Sequence, residues 1–78
     1  MLVDVSILSP QEVVFEGQAR NVILPGEQGI FEIRPFHKRL LSRLITGTVL
    51  VDDKNFTIQR GVVKAEQNKV TIIIEQPV

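Results

Sequence analysis

Apolar side chains recur at every second position in short runs, and this alternation restricts the chain more than any other feature it has. Val3, Val5 and Ile7 alternate with Asp4 and Ser6, and Val70, Ile72 and Ile74 repeat the pattern much later. A period of two puts alternate side chains on one face of an extended strand, which then has one buried and one wet side. Turn-forming residues cut the runs at Ser9-Pro10, Gly17, Pro25-Gly26, Gln28-Gly29, Asp52 to Asn55 and Gln67-Asn68-Lys69. Between them, Val13 and Phe15 are expected to share a face, and a strand should run from Ala19 to Leu24. Phe31 and Ile33 should point inward while Glu32 and Arg34 meet water. Further strands are predicted over Thr48 to Val51, around Phe56 and Ile58, and, after a break at Gly61, from Val62 to Ala65. Turn signals spaced by about 8–12 residues predict an all-β fold, a small sandwich or flattened barrel of about 8–10 short, mostly antiparallel strands.

Lys38 to Leu44 fits two periods. Leu40, Leu41 and Leu44 fall at helical spacing, with Lys38, Arg39 and Arg43 opposite. An isolated helix shorter than about 12 residues is marginal in water, however. The expectation is a turn or a short extended piece whose leucines cap the core.

At 78 residues the chain holds a single domain with one core. It has no cysteine, so neither a disulfide nor a thiolate metal site staples it, and apolar burial must supply the stability. Nine basic residues balance nine acidic ones, which leaves no global field to attract nucleic acid or lipid. Met1 to Asp4 has neither a basic stretch nor a long apolar run, so a signal peptide is not expected. The apolar runs are too short to span a membrane, and the chain reads as soluble and cytosolic.

Catalysis finds no support in these residues. His37 is the only imidazole, and no serine sits in a Gly-x-Ser-x-Gly elbow. Acidic residues are scattered singly along outward faces, so no metal-ligand cluster is expected, and the glycines lack the spacing and the lysine of a phosphate loop. No catalytic, cofactor-binding or metal-binding residue is assigned. Arg34, Lys38, Arg39 and Arg43 form a basic run that no acid interrupts. It reads as a solvated face, a docking surface for an acidic protein patch, or a nucleic-acid contact. The last is poorly equipped, because Phe36 is the one ring nearby for a base to stack on. Ile30, at a loop tip, and Phe36, between Pro35 and His37, are expected to be exposed, and two exposed apolar residues on adjacent loops point to a partner.

The ordered series from Ser9-Pro10 and Val13-Val14-Phe15-Glu16-Gly17, through Leu24-Pro25-Gly26-Glu27-Gln28-Gly29 and Phe31-Glu32-Ile33-Arg34-Pro35-Phe36-His37, to Gly47-Thr48-Val49, Gly61 to Glu66 and Asn68 to Thr71 resembles one known domain. That is the N-terminal domain of the epsilon subunit of F-type ATP synthase, and the resemblance covers nearly the whole chain. It implies a non-catalytic sandwich at the foot of the central stalk of a proton- or sodium-driven rotary ATP synthase. Its partners would be the gamma subunit and the membrane c-ring, with no cofactor, and it would lie peripherally on the cytoplasmic face of a bacterial inner membrane. Carried over by position, Glu27, Gln28, Gly29 and Ile30 would face the ring, while Ser9, Phe36, His37, Lys38 and Ser42 would lie on the gamma side. The family usually has Gly where Phe36 stands and Ala-Pro where Lys38-Arg39 stand, so the gamma side should be bulkier and more basic and its partner acidic and grooved. The helical hairpin that many members carry after this domain, which inhibits ATP hydrolysis, is not expected in this chain.

Overall fold

A computed structural model describes residues 1–77, and those residues form nine strands in one curled sheet. They are β1 (Val3–Leu8), β2 (Val13–Ala19), β3 (Val22–Gly26), β4 (Gly29–Ile33), β5 (Leu40–Leu44), β6 (Gly47–Val51), β7 (Lys54–Ile58), β8 (Arg60–Glu66) and β9 (Lys69–Glu75). The order across the sheet is β2-β1-β9-β8-β5-β3-β6-β7, with β4 beside β3. Every pairing is antiparallel except β1 with β9, which run parallel. The expected all-β sandwich is thus the observed fold, and its halves are joined where β3 meets β5 through the single pair Gly26–Leu44.

The inward faces of the two halves pack together because each strand contributes every second side chain. Val3, Val5 and Ile7 of β1 and Val70, Ile72 and Ile74 of β9 face Val22 and Leu24 of β3, Val49 and Val51 of β6, and Ile58 of β7 in one buried cluster. At the open ends of the sheet, Phe15 of β2 and Phe56 of β7 close the gap, their ring centres 5.6 Å apart and tilted by 53°. Tilted pairs of this kind add to the area they bury. No polar or charged residue is buried among those described.

Four local expectations are corrected. Gly17 is not a turn but lies inside β2 opposite Val5, with the Phe15 ring over it. The turn falls at Arg20 and Asn21, whose backbone N–H groups donate to the Asp52 carboxylate at 2.9–3.2 Å. Pro25-Gly26 is not the hairpin turn either: both belong to β3, and Glu27-Gln28 form the tip while Gly29 takes φ 125°. Pro25 is tolerated there because β3 changes partner, from β6 at Val22 and Ile23 to β5 at Gly26. Gly61 does not interrupt β8 but pairs with both Leu44 and Ile74. Finally, the segment from Lys38 is extended as expected, with β5 over Leu40–Leu44, but only Leu40 and Leu44 meet the core, while Leu41 is 76% exposed and caps nothing.

Val13 and Phe15 also part company. The register shifts between Ile7 and Leu8, so Phe15 pairs with Ile7 while Val13 pairs with Leu8, leaving Val14 as an extra residue. Such a bulge turns the residue before it to the opposite face. Phe15 therefore packs on the core, and Val13 is exposed on the outside.

Candidate functional site

On the outer face of β2, β1, β9, β8 and β5, the register brings five side chains into one row. Val13 stands opposite Leu8, Leu8 opposite Ile73, Ile73 opposite Val62, and Val62 opposite Arg43. Strands lie about 4.8 Å apart, so the row stretches about 19 Å across the sheet. Val13, Ile73 and Val62 are exposed, and Leu41 stands beside the row with Lys64 as its cross-strand neighbour. Four apolar residues in register across four strands make a contiguous patch, unlike apolar residues scattered singly. The row ends on Arg43, which has no ion-pair partner among the described residues.

The rest of the basic run is divided. Arg34 pairs with Glu32 at 3.2 Å and Arg39 with Glu66 at 3.5 Å, leaving Lys38 and Arg43 without an acid among the described residues. Two unpaired cations, only one of them at the apolar row, are a poor track for a phosphate backbone, which is held through many such contacts. An acidic protein surface suits them better. Glu32 has a second attachment, since the Asn21 side-chain amide donates to its carboxylate. That hydrogen bond, with the one from Arg34, holds the Glu32 carboxyl below its ordinary value, against a smaller opposing effect of desolvation. A lowered folded-state pKa stabilises the fold above the ordinary carboxylate range, and the gain is lost as pH falls through the folded value. Asn21→Ala should therefore move the Glu32 titration midpoint upward in carboxyl NMR. An unmoved midpoint would assign the shift to Arg34 alone.

Ile30 and Phe36 are both exposed as expected, at 78% and 71%. They do not sit together, however. Ile30 is the second residue of β4 and Phe36 lies three residues past its other end, so the strand stands between them. Leu8 pairs with Ile73, so Ser9 lies at the Ile74 end of the outer face, whereas the Glu27 to Ile30 hairpin lies beside Leu40 and Ser42 of β5. Phe36, His37 and Lys38 lie at the far end, where β8 turns into β9, for the Phe36 N–H donates to Asn68 Oδ1 at 2.6 Å. Ser42 alternates with exposed Leu41 and Arg43, so it points to the inner side, into a recess shared with Leu40, Phe31 and the hairpin tip. Of the residues assigned to the gamma side by resemblance, Ser9 and the Phe36 to Lys38 turn thus bracket the outer face, and Ser42 sits apart beside the tip.

Sequence reasoning missed the middle of this face. Val62 and Ile73 alternate with buried Val63, Ile72 and Ile74, and an unbroken apolar run hides which residues face out. The signal available was that Val62-Val63 and Ile72-Ile73-Ile74 are apolar on both parities, which a strand wet on one side does not need. Ile45 was missed as well. It follows β5, is half-exposed, donates its N–H to the Pro25 carbonyl at 2.9 Å, and stands with Ile30 and Gly47 in a second apolar patch at the hairpin end. Among the described residues, no three His, Asp or Glu side chains gather closely enough to hold a metal ion.

Comparison with known proteins shows the family by two routes and the fold by a third. The family model described as ATP synthase, Delta/Epsilon chain, beta-sandwich domain matches residues 2–78. An ATP synthase epsilon chain from Bordetella avium is 34% identical over 74 residues, covering 88% of this chain and 52% of that protein. One from Sulfurovum sp. is 32% identical over 79 residues, covering 95% and 62%. The chain thus spans about half the length of the curated relatives it matches. Among solved structures, a chain of the Euglena gracilis mitochondrial ATP synthase, in a structure of OSCP, F1 and c-ring, superposes with a TM-score of 0.88 over 99% of this chain and 52% of that one. A chain of the Tetrahymena thermophila mitochondrial ATP synthase central stalk and c-ring gives 0.77 over 94% and 63%. Both are 14% identical, a likeness of fold alone.

Proposed function

Because the chain belongs to the beta-sandwich family of ATP synthase Delta/Epsilon chains, we propose that it works as a non-catalytic central-stalk subunit, fixing a gamma subunit to a c-ring. The observation that carries this reading is the outer-face row from Val13 to Arg43. An apolar strip on a sheet that already has its own core needs another protein to cover it. The gamma subunit covers that strip, between Ser9 at one end and Phe36, His37 and Lys38 at the other. Glu27, Gln28, Gly29 and Ile30, with Ile45 beside them, face the polar loops of the c-ring.

The work is mechanical. Rotation driven by proton or sodium flow reaches the catalytic head only if the connecting part does not yield. Among the described residues, sixteen buried apolar side chains packed between two strand layers form such a part, since protein interiors are as dense as organic crystals and transmit strain. The complex places the chain peripherally on the cytoplasmic face of a bacterial inner membrane, and it needs no cofactor of its own. Co-purification tests the reading. The tagged chain, expressed with the gamma and c subunits of its own organism, should bring down gamma through washes at high salt. Recovery of gamma no better than from beads alone would overturn it.

A further inference from the structure

The turn that carries Phe36 is built against the preference of its own residue. His37 donates its N–H to the Arg34 carbonyl at 3.2 Å, closing a four-residue turn over Pro35 and Phe36. Pro35 holds its φ near −65°, and Phe36 takes φ 66°. This is the pattern of a type II turn, whose third position needs positive φ and is ordinarily glycine. A bulky side chain in that region is an outlier, tolerated only where the surroundings impose it. Here the surroundings are visible: Asn68 Oδ1 accepts the Phe36 N–H at 2.6 Å, and Asn68 is itself fixed by its carbonyl bond to the Asp4 N–H. Nothing on the inside rewards the ring, which is 71% exposed and is not among the residues packed on the core. The cost is borne in the free domain and no return is visible there.

We infer that Phe36 is a pre-positioned knob that seats in an apolar socket with an acidic rim on the gamma subunit, and that it sets this chain's preference for its own partner. This rests on the docking proposed above and goes further, in naming the residue and the shape of its complement. Charge selects the occupant: Lys38, two residues on, is exposed without an acid partner among the described residues, as is Arg43 on the adjoining face. An aromatic whose backbone is already held in place before contact loses less freedom on binding, which is how anchors of this type gain their effect.

Calorimetric titration of the full chain with its own gamma subunit, paired with thermal melts, tests the inference. Phe36→Gly should bind about 30-fold more weakly, yet melt at the same temperature or up to about 5 °C higher, because glycine accepts the left-handed turn. Phe36→Asn, which also tolerates positive φ, should repeat both results. Lys38→Glu should weaken binding and flatten its dependence on salt. If the unaltered chain binds gamma and Phe36→Gly binds within three-fold of it, about 0.65 kcal/mol, the knob is refuted while the docking face stands. If Phe36→Gly instead melts well below the unaltered chain, the ring serves the fold and the inference is again refuted. Failure of the unaltered chain to bind gamma removes the docking reading and the knob together.

Discussion

Replacing Gly61 by valine should lower the melting temperature by about 12 °C or more, the largest loss of stability expected from any single glycine in the domain. A Cβ at this position would lie 2.5 Å from the Ile73 carbonyl oxygen and 3.3 Å from the Ile74 Cα, both backbone atoms of β9. Side chains can rotate out of the way; a carbonyl in the middle of a ladder cannot. Gly61 pairs with Leu44 on one side and Ile74 on the other, so relief would open one of two ladders. Overpacking of this kind costs about 3 kcal/mol where nothing can yield, out of roughly 4–12 kcal/mol for a domain of this size. Gly17→Ala provides the contrast, because its Cβ would meet only the tip of the Phe15 ring at 3.1 Å. Equal melting temperatures for the two variants would show that the β8–β9 contact is softer than the geometry indicates.

The second large effect concerns association. Ile73→Asp should reduce affinity for gamma more than 100-fold while leaving the domain folded. Ile73 stands at the centre of the outer row between Leu8 and Val62, half exposed, so an aspartate there stays hydrated in the free chain. A docked partner would bury that charge without a counter-ion, a cost of about 3 kcal/mol or more. Calorimetry on the folded variant decides the matter, with circular dichroism to verify the fold. Binding within three-fold of the unaltered chain would mean that gamma does not cover this face.

How legible all this was in the sequence depended on distance along the chain. The alternation of Val3, Val5 and Ile7 reports sidedness locally, and β1 appears as expected. Leu40 and Leu44 could not decide between helix and strand, because a spacing of four returns to the same face in both. Leu41 decides it, and only by pointing away from the core. The turn at Arg20 and Asn21 carries no glycine or proline; its conformation is imposed by Asp52, a residue remote in sequence. The bulge at Val14 likewise depends on pairing with β1. Chain-remote pairing also builds the candidate site, since Val13, Leu8, Ile73, Val62 and Arg43 come from five strands. The resemblance to the epsilon family supplied the function, and the register then showed which residues lie between Ser9 and Phe36.

The parallel pairing of β1 with β9 bears on how the molecule comes into being. β1 acquires one of its two neighbours only when β9 has emerged, so much of the central ladder waits on a strand made more than sixty residues after it. Topologies of this sort reach the native state in roughly milliseconds to seconds, and meanwhile the valines and isoleucines of β1 remain adhesive. Birth is then the vulnerable period for this protein, before its own core has closed.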